Sequence, residues 1–228
     1  MPDPPGRTAL VLGATGLVGG HLLRALATDA RWGRVVTLGR RPMATAGPGH
    51  EDHVVDFARL GEQAALFACD DLFCALGTTI KKAGSPEAFR RVDVEIPFEA
   101  AQLARSAGAE QVLLVTSLGA DPGSRLLYPR SKGEVERAVA EVGFPAVQVF
   151  RPSLLAGDRD EVRWAERIAL ALARPLGPLL AGPLAAARPT EARDVARAMV
   201  AVAARRPRGV HVYDPSAIRE AAGDYRAR

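Results

Sequence analysis

Tyr128 and Lys132 stand four residues apart in the stretch Tyr128-Pro129-Arg130-Ser131-Lys132-Gly133-Glu134. That step puts two side chains on one face of a helix. A phenol and an ammonium held together can move a proton. The free phenol has a pKa near ~10, too high for efficient transfer at neutral pH, and a neighbouring ammonium lowers it. Ser117 ends the apolar run 112 to 116 and brings a hydroxyl that can hold a substrate oxygen in place. Alone, each reads as a boundary aromatic, a surface lysine or a turn serine. Together they are a candidate catalytic set, Ser117, Tyr128 and Lys132.

A second group can bind phosphate. Gly13-Ala14-Thr15-Gly16-Leu17-Val18-Gly19 follows the apolar run 8 to 12 at once and opens the apolar-periodic stretch 17 to 27. Glycines between a strand and a helix are what a dinucleotide requires. Gly13 takes the tight turn, Gly16 lets backbone approach the pyrophosphate, and Gly19 lets the helix pack on the strand. The N–H groups of Leu17 and Val18, with the helix dipole, attract the diphosphate, and Thr15 lies in the same turn.

About 20 residues further on, an NAD site places a carboxylate against the ribose 2′-hydroxyl. This chain has Gly39-Arg40-Arg41 there. Two guanidiniums suit a 2′-phosphate, so the reading favours NADP(H) over NAD(H). Asp56 is either an acceptor for the adenine amino group or a turn residue. Leu76-Gly77-Thr78 either borders the ribose and nicotinamide or simply turns the chain.

Positioning these residues takes strands that alternate with helices. Strand-length apolar runs fall at 8–12, 35–38, 53–56, 71–76, 112–116, 146–150 and 209–213. Helical patterns fall at 17–27, from Pro86 onward with Phe89, Val92, Ile96, Ala100 and Leu103 on one face, at 128–142 and at 194–204. The stretch 60–67 is weakly helical, and the last dozen residues read as a polar tail. Such alternation predicts an α/β fold, a Rossmann-type doubly wound parallel sheet covered on both faces. The chain reads as a single domain over 1–228, with a small substrate-side insert over about 155–192.

Bulk composition excludes other classes. With 228 residues, 48% of them hydrophobic, the chain can bury a substantial core. The net charge of +4 comes from dispersed arginines, and aromatics are only 5%, so no nucleic-acid partner is expected. Cys69 and Cys74 fit neither a zinc site nor a redox pair and read as small buried hydrophobes, which suits the cytoplasm. His21, His50, His53 and His211 are scattered, so no metal is expected. The apolar stretch 168–187 is broken by Arg174, Pro175, Pro178 and Pro183, which argues against a membrane span. The expected partner is a small-molecule substrate, and the chain itself a monomer or homodimer.

The chain resembles the short-chain dehydrogenase/reductase superfamily as an atypical member, and more narrowly its Tat-interacting oxidoreductase-like branch. The resemblance is carried by the glycine turn, Gly39-Arg40-Arg41, Val55-Asp56-Phe57, Cys74-Ala75-Leu76-Gly77-Thr78-Thr79, Phe89-Arg90-Arg91-Val92-Asp93, the stretch Tyr128 to Glu136, and Phe150-Arg151-Pro152. It covers about residues 8 to 213. It implies strand order 3-2-1-4-5-6-7, NADPH binding that includes Asp56 and Phe57, and Ser117, Tyr128 and Lys132 as the active-site trio. In it Tyr128 is general acid in reduction, while Lys132 holds the nicotinamide ribose and tunes Tyr128. Asp93 falls where many superfamily members carry an assisting asparagine.

The function expected from these readings is oxidoreduction: hydride transfer between NADPH and a carbonyl or related group of a small metabolite. A non-catalytic NADP(H)-dependent regulator is the alternative. A nucleotide-sugar epimerase or dehydratase shares the trio but calls for a larger sugar-binding region than 155–192 supplies.

Overall fold

The computed structural model describes residues 6–156 and 189–226. Seven strands form one sheet: β1 (Arg7–Leu12), β2 (Trp32–Gly39), β3 (His50–Val54), β4 (Asp71–Cys74), β5 (Gln111–Val115), β6 (Ala146–Phe150) and, last in the chain, β9 (Gly209–Tyr213). Between the last two, β7 (Leu155–Ala156) and β8 (Thr190–Glu191) pair with each other as a separate two-stranded ladder. The sheet order is β3-β2-β1-β4-β5-β6-β9, with every pair parallel. This is the expected order. The seventh sheet strand is β9 because the short ladder precedes it.

Both faces of a parallel sheet are covered, so both sets of alternating side chains along a strand are apolar. In β1, Ala9 and Val11 face α1 (Leu17–Ala27), α6 (Ala192–Arg205) and α7 (Pro215–Gly223), in a core with Leu22, Leu26, Phe73, Phe150, Val195, Met199 and Ile218. Leu10 and Leu12 face the other way. They join Leu38, Leu60, Phe67, Leu72, Ala100, Leu114, Val135 and Val149, under α4 (Ile96–Ser106) and α5 (Leu127–Glu141). Cys69 and Cys74 are free and buried in this second layer, as the sequence suggests.

Beyond small shifts at the ends of β2 and β4, the structure differs from the expected elements in three places. β3 starts at His50, earlier than position 53, because His50 and Glu51 already pair with Val35 and Val36. The last dozen residues are not a polar tail. Asp214 caps α7, accepting from the N–H groups of Ser216 and Ala217, and Pro215 occupies its first turn.

The helix that Pro86 opens is not uniform either. It runs as α3 (Pro86–Arg90), a π turn over Arg91–Glu95, then α4. Pro97 explains the change of pitch. Proline cannot donate to the residue four back, and its ring crowds that carbonyl, which here is Asp93. The chain widens instead, and the Ile96 N–H reaches the Arg91 carbonyl five residues back. Of the expected apolar face, Phe89, Ile96 and Ala100 are buried, while Val92 and Leu103 are half-buried. Asp93 is buried at the turn. Residues 157–188, including the apolar stretch and most of the expected insert, lie outside the described residues. Among the described residues, no helix is long and apolar enough to cross a membrane.

Candidate active site

Parallel strands present all their carboxyl ends at one edge of the sheet, and ligands bind there where the winding direction reverses. Here β1 lies between β2 and β4, the point of reversal. The glycine turn, Arg40 and Arg41, Asp56, Leu76 to Thr78, and Ser117 all follow strands at this edge.

Gly13 has a positive φ of 84°, and a Cβ on it would come within 2.6 Å of the Ala75 carbonyl oxygen. It therefore turns β1 sharply into α1 against the end of β4. A Cβ on Gly19 would lie 2.0 Å from the Gly13 carbonyl oxygen, so glycine is what lets α1 seat on its own turn. Gly16 is the N-terminal cap residue, with extended backbone at φ −81° and ψ 173°, and it is exposed. No side chain caps α1, and its first turn holds no acidic residue. The leading amides, Leu17 and Val18 among them, thus have no side-chain partner among the described residues. Thr15 is exposed beside them.

Arg40 and Arg41 are exposed and make no hydrogen bond or ion pair with the described residues. The loop beyond them is pinned from within. Asp52 accepts from the Met43 N–H at 2.9 Å and from the Thr37 hydroxyl at 2.7 Å, and His50 accepts from the Ala46 N–H at 2.9 Å. Asp56 is exposed and uses one oxygen in a turn, accepting from the Ala58 N–H at 2.9 Å. Half-buried Phe57 packs on the second core layer, and its carbonyl accepts from Arg91 at 2.6 Å.

Two of the catalytic candidates, Tyr128 and Lys132, stand on α5. Tyr128 lies in its first turn, 41% exposed, its ring 5.9 Å from that of Phe89 between centroids. The Lys132 ammonium sits 5.7 Å from the Tyr128 ring centroid, so the four-residue spacing does bring phenol and ammonium to one face. Ser117 lies just past β5, and its Oγ is buried with no partner among the described residues. Lys132 is only 4% exposed and Asp93 only 2%. The Lys132 Nζ donates to Asp93 Oδ1 at 2.5 Å, while Asp93 Oδ2 accepts from the Thr78 N–H at 2.9 Å. Burial by itself pushes the ammonium down. The Asp93 charge and hydrogen bond, with Tyr128, outweigh it and hold Lys132 above the ordinary lysine value.

Three supports escaped the sequence reading. The Asp93–Lys132 pair is one. The second is Glu136, a turn beyond Lys132, which accepts from the Thr116 hydroxyl at 2.5 Å and from Arg151 Nε at 3.0 Å, tying α5 to the ends of β5 and β6. The third is Gly133, where a Cβ would lie 2.2 Å from the Pro122 nitrogen, so the loop after β5 rests directly on α5. The stretch Lys132-Gly133-Glu134-Val135-Glu136 carried all of this chemistry, but no local pattern says which distant residue each side chain meets.

A seven-stranded parallel sheet in this order, an uncapped glycine turn at its winding reversal and a Ser-Tyr-Lys set at the same edge define a Rossmann-type α/β protein. The sequence matches the model of the NAD dependent epimerase/dehydratase family over residues 9–214, and the chain belongs to that family. It is 38% identical to Protein HTATIP2 of Rattus norvegicus over 167 residues, 72% of this chain and 69% of that one. It is 35% identical to Protein fmp52, mitochondrial, of Emericella nidulans over 174 residues, 73% and 75% of the two chains. The kinship with short-chain dehydrogenase/reductases and the Tat-interacting branch therefore holds. Among solved structures, MoeE5 in complex with UDP-glucose and NAD superposes with a TM-score of 0.69 at 22% identity, covering 90% of this chain and 75% of that one. UDP-glucuronic acid 4-epimerase from Bacillus cereus in complex with NAD gives 0.62 at 14%, covering 90% and 76%. These two likenesses are of fold.

Proposed function

We propose that the protein is an NADP(H)-dependent oxidoreductase that reduces a carbonyl group on a small metabolite. The observation that carries this reading is the convergence, at one sheet edge, of the uncapped start of α1 with the buried, unpartnered Ser117 hydroxyl and the Tyr128–Lys132 face. The glycine turn fits a dinucleotide: space around Gly16 is open apart from the Gly13 and Ala75 carbonyl oxygens, 3.2 and 4.0 Å from a Cβ there. Family membership and the NAD bound in both structural neighbours support a nicotinamide nucleotide. Preference for NADP(H) rests on Arg40 and Arg41, unengaged at the end of β2 with no carboxylate beside them.

A reduced nicotinamide held at this edge would supply the hydride chemistry. Tyr128 donates its phenolic proton to the carbonyl oxygen, completing the alcohol. Ser117 donates a hydrogen bond to that same oxygen and orients it. Lys132 has three N–H donors, of which Asp93 takes one, and the others serve ribose hydroxyls. Two buried free thiols agree with a reducing compartment, and the cytoplasm is the site proposed.

Calorimetric titration with NADPH and NADH, run beside a carbonyl panel, tests the reading. NADPH should bind more tightly. The double substitution Arg40→Ala/Arg41→Ala should weaken NADPH by roughly 10²-fold, as expected for losing one or two charge-assisted bonds, and leave NADH unchanged. Tyr128→Phe should slow carbonyl reduction by ~10²–10⁴ without altering cofactor affinity. Equal affinity for the two nucleotides removes the role given to the arginines. Tight NADPH binding with no oxidation by any carbonyl favours a regulator instead.

A further inference from the structure

Three lysines occur in the whole chain, Lys81, Lys82 and Lys132, against a total of 30 Lys and Arg. Basic positions elsewhere are almost all arginine. Lys81 and Lys82 are exposed on the short helix α2 (Ile80–Ala83), so Lys132 is the one lysine inside the fold. A buried ammonium loses its proton readily unless an anion faces it, whereas a guanidinium does not. The groups facing Lys132 are Asp93 from the π turn, Tyr128 from its own helix and Cys74 from β4, whose thiol burial pushes up to about 11. Of the three, Asp93 alone is a carboxyl group, and it accepts directly from the ammonium. Further out, Arg90 of α3 and Arg130 of α5 both pair with Glu134.

Asp93 also reaches a second element. Its other oxygen takes the Thr78 N–H, so one carboxylate ties the ammonium on α5 to the loop leaving β4. A Cβ on Gly77 would stand 3.9 Å from Lys132 Nζ and 4.0 Å from Asp93 Oδ1, so that loop lies directly over the pair. The carboxylate is available there because Pro97 forces the π turn that carries it.

We propose that Asp93 is the positioning residue of this site: it keeps Lys132 protonated and fixed, and latches the β4 loop to it, so that the donors for the nicotinamide ribose stand assembled before cofactor arrives. The proposal rests on the oxidoreductase reading for what the donors bind. The charge and placement of Lys132 do not depend on that reading. Without Asp93, a side chain this deeply buried has no carboxylate among the described residues to oppose its desolvation.

With three lysines, side-chain nitrogen and ε-carbon resonances can be followed singly. Lysine-labelled, cofactor-free protein is titrated by NMR as wild type and as Asp93→Asn, which removes the charge and leaves one carbonyl oxygen to accept from either the Thr78 N–H or Lys132. The Lys132 midpoint should fall by about two pH units or more in the variant, the range expected of an ammonium buried without an anion. NADPH affinity of Asp93→Asn should then drop as pH rises through the new midpoint and recover when pH is lowered, a dependence that a merely structural loss does not produce. An unmoved Lys132 midpoint overturns the proposal whether or not NADPH binds. A moved midpoint with no NADPH binding upholds Asp93 and removes the oxidoreductase reading alone. Should Asp93→Asn not fold, thermal melting of Lys132→Met and Asp93→Asn/Lys132→Met decides. The double variant should melt higher, because the single one strands a buried carboxylate, and a double variant that melts no higher overturns the pairing.

Discussion

Gly16 and Gly19 lie three residues apart in one turn, yet alanine should fail at each for a different reason. At Gly19 the added methyl would sit 2.0 Å from the Gly13 carbonyl oxygen, 2.7 Å from its carbon and 2.9 Å from Ala14 Cα. All three are backbone atoms, so no rotamer change relieves the clash and α1 must lift from its turn. Overpacking of this kind costs about 2–3 kcal/mol. For a chain of this length each kcal/mol moves Tm by ~2–4 °C, so Gly19→Ala should melt roughly 4–12 °C lower. At Gly16 the backbone is extended, a conformation alanine adopts freely, and the nearest atom to a Cβ is 3.2 Å away. The loss there is that of glycine at a helix cap, about 0.5–1 kcal/mol, or roughly 1–4 °C. Its methyl instead occupies the approach to the pyrophosphate, and NADPH affinity should fall at least ~10-fold, about 1.4 kcal/mol. Melting of cofactor-free protein and calorimetry with NADPH separate the two effects. The reasoning is refuted if Gly19→Ala melts with wild type, or if Gly16→Ala binds NADPH as wild type does.

Burial pushes the Cys69 thiol up to about 12 and the Cys74 thiol to about 11, so neither is a thiolate at neutral pH. An aromatic disulfide reagent should leave both untouched in native protein and titrate both in denaturant, and fast reaction of either in the native state contradicts the burial. On the sheet edge, hydrogen bonds from Arg34 at 2.8 and 2.7 Å, helped by His53, hold the Glu51 carboxyl down to about 2. A lowered carboxylate stabilises the fold above its ordinary range, and that contribution is lost as pH falls through about 2. Carboxyl NMR should show the Glu51 midpoint rising toward 4.5 in Arg34→Ala. A midpoint that stays near its original value would mean Arg34 is not the cause.

Where local pattern governs structure, the sequence was readable. The run 8 to 12 followed by glycines identifies β1, its turn and α1, because strand, turn and helix are all set by neighbours in the chain. The Tyr128–Lys132 step is equally local, and the sheet order followed from the resemblance. What was not readable depends on partners far along the chain. Asp93 and Lys132 are 39 residues apart, and nothing near Asp93 announces a buried ion pair. The π turn had a visible cause in Pro97, but apolar spacing alone smoothed it into a regular helix. Polar composition hid α7, although Asp214-Pro215 is a sound helix start and Ile218 and Ala221 bury against the core.

The ladder of β7 and β8 has a thermodynamic consequence for the chain between them. Leu155 pairs with Thr190 and Ala156 with Glu191, and the Thr190 N–H donates to the Leu154 carbonyl at 2.8 Å. Departure and return points of the intervening peptide are thereby stapled side by side, next to the end of β6. Once two ends are joined, lengthening what lies between them is cheap: doubling a closed loop adds only about 0.6 kcal/mol. The seven-stranded sheet is thereby insulated from the length of chain carried at that seam, which can grow or shrink without the sheet having to be rebuilt.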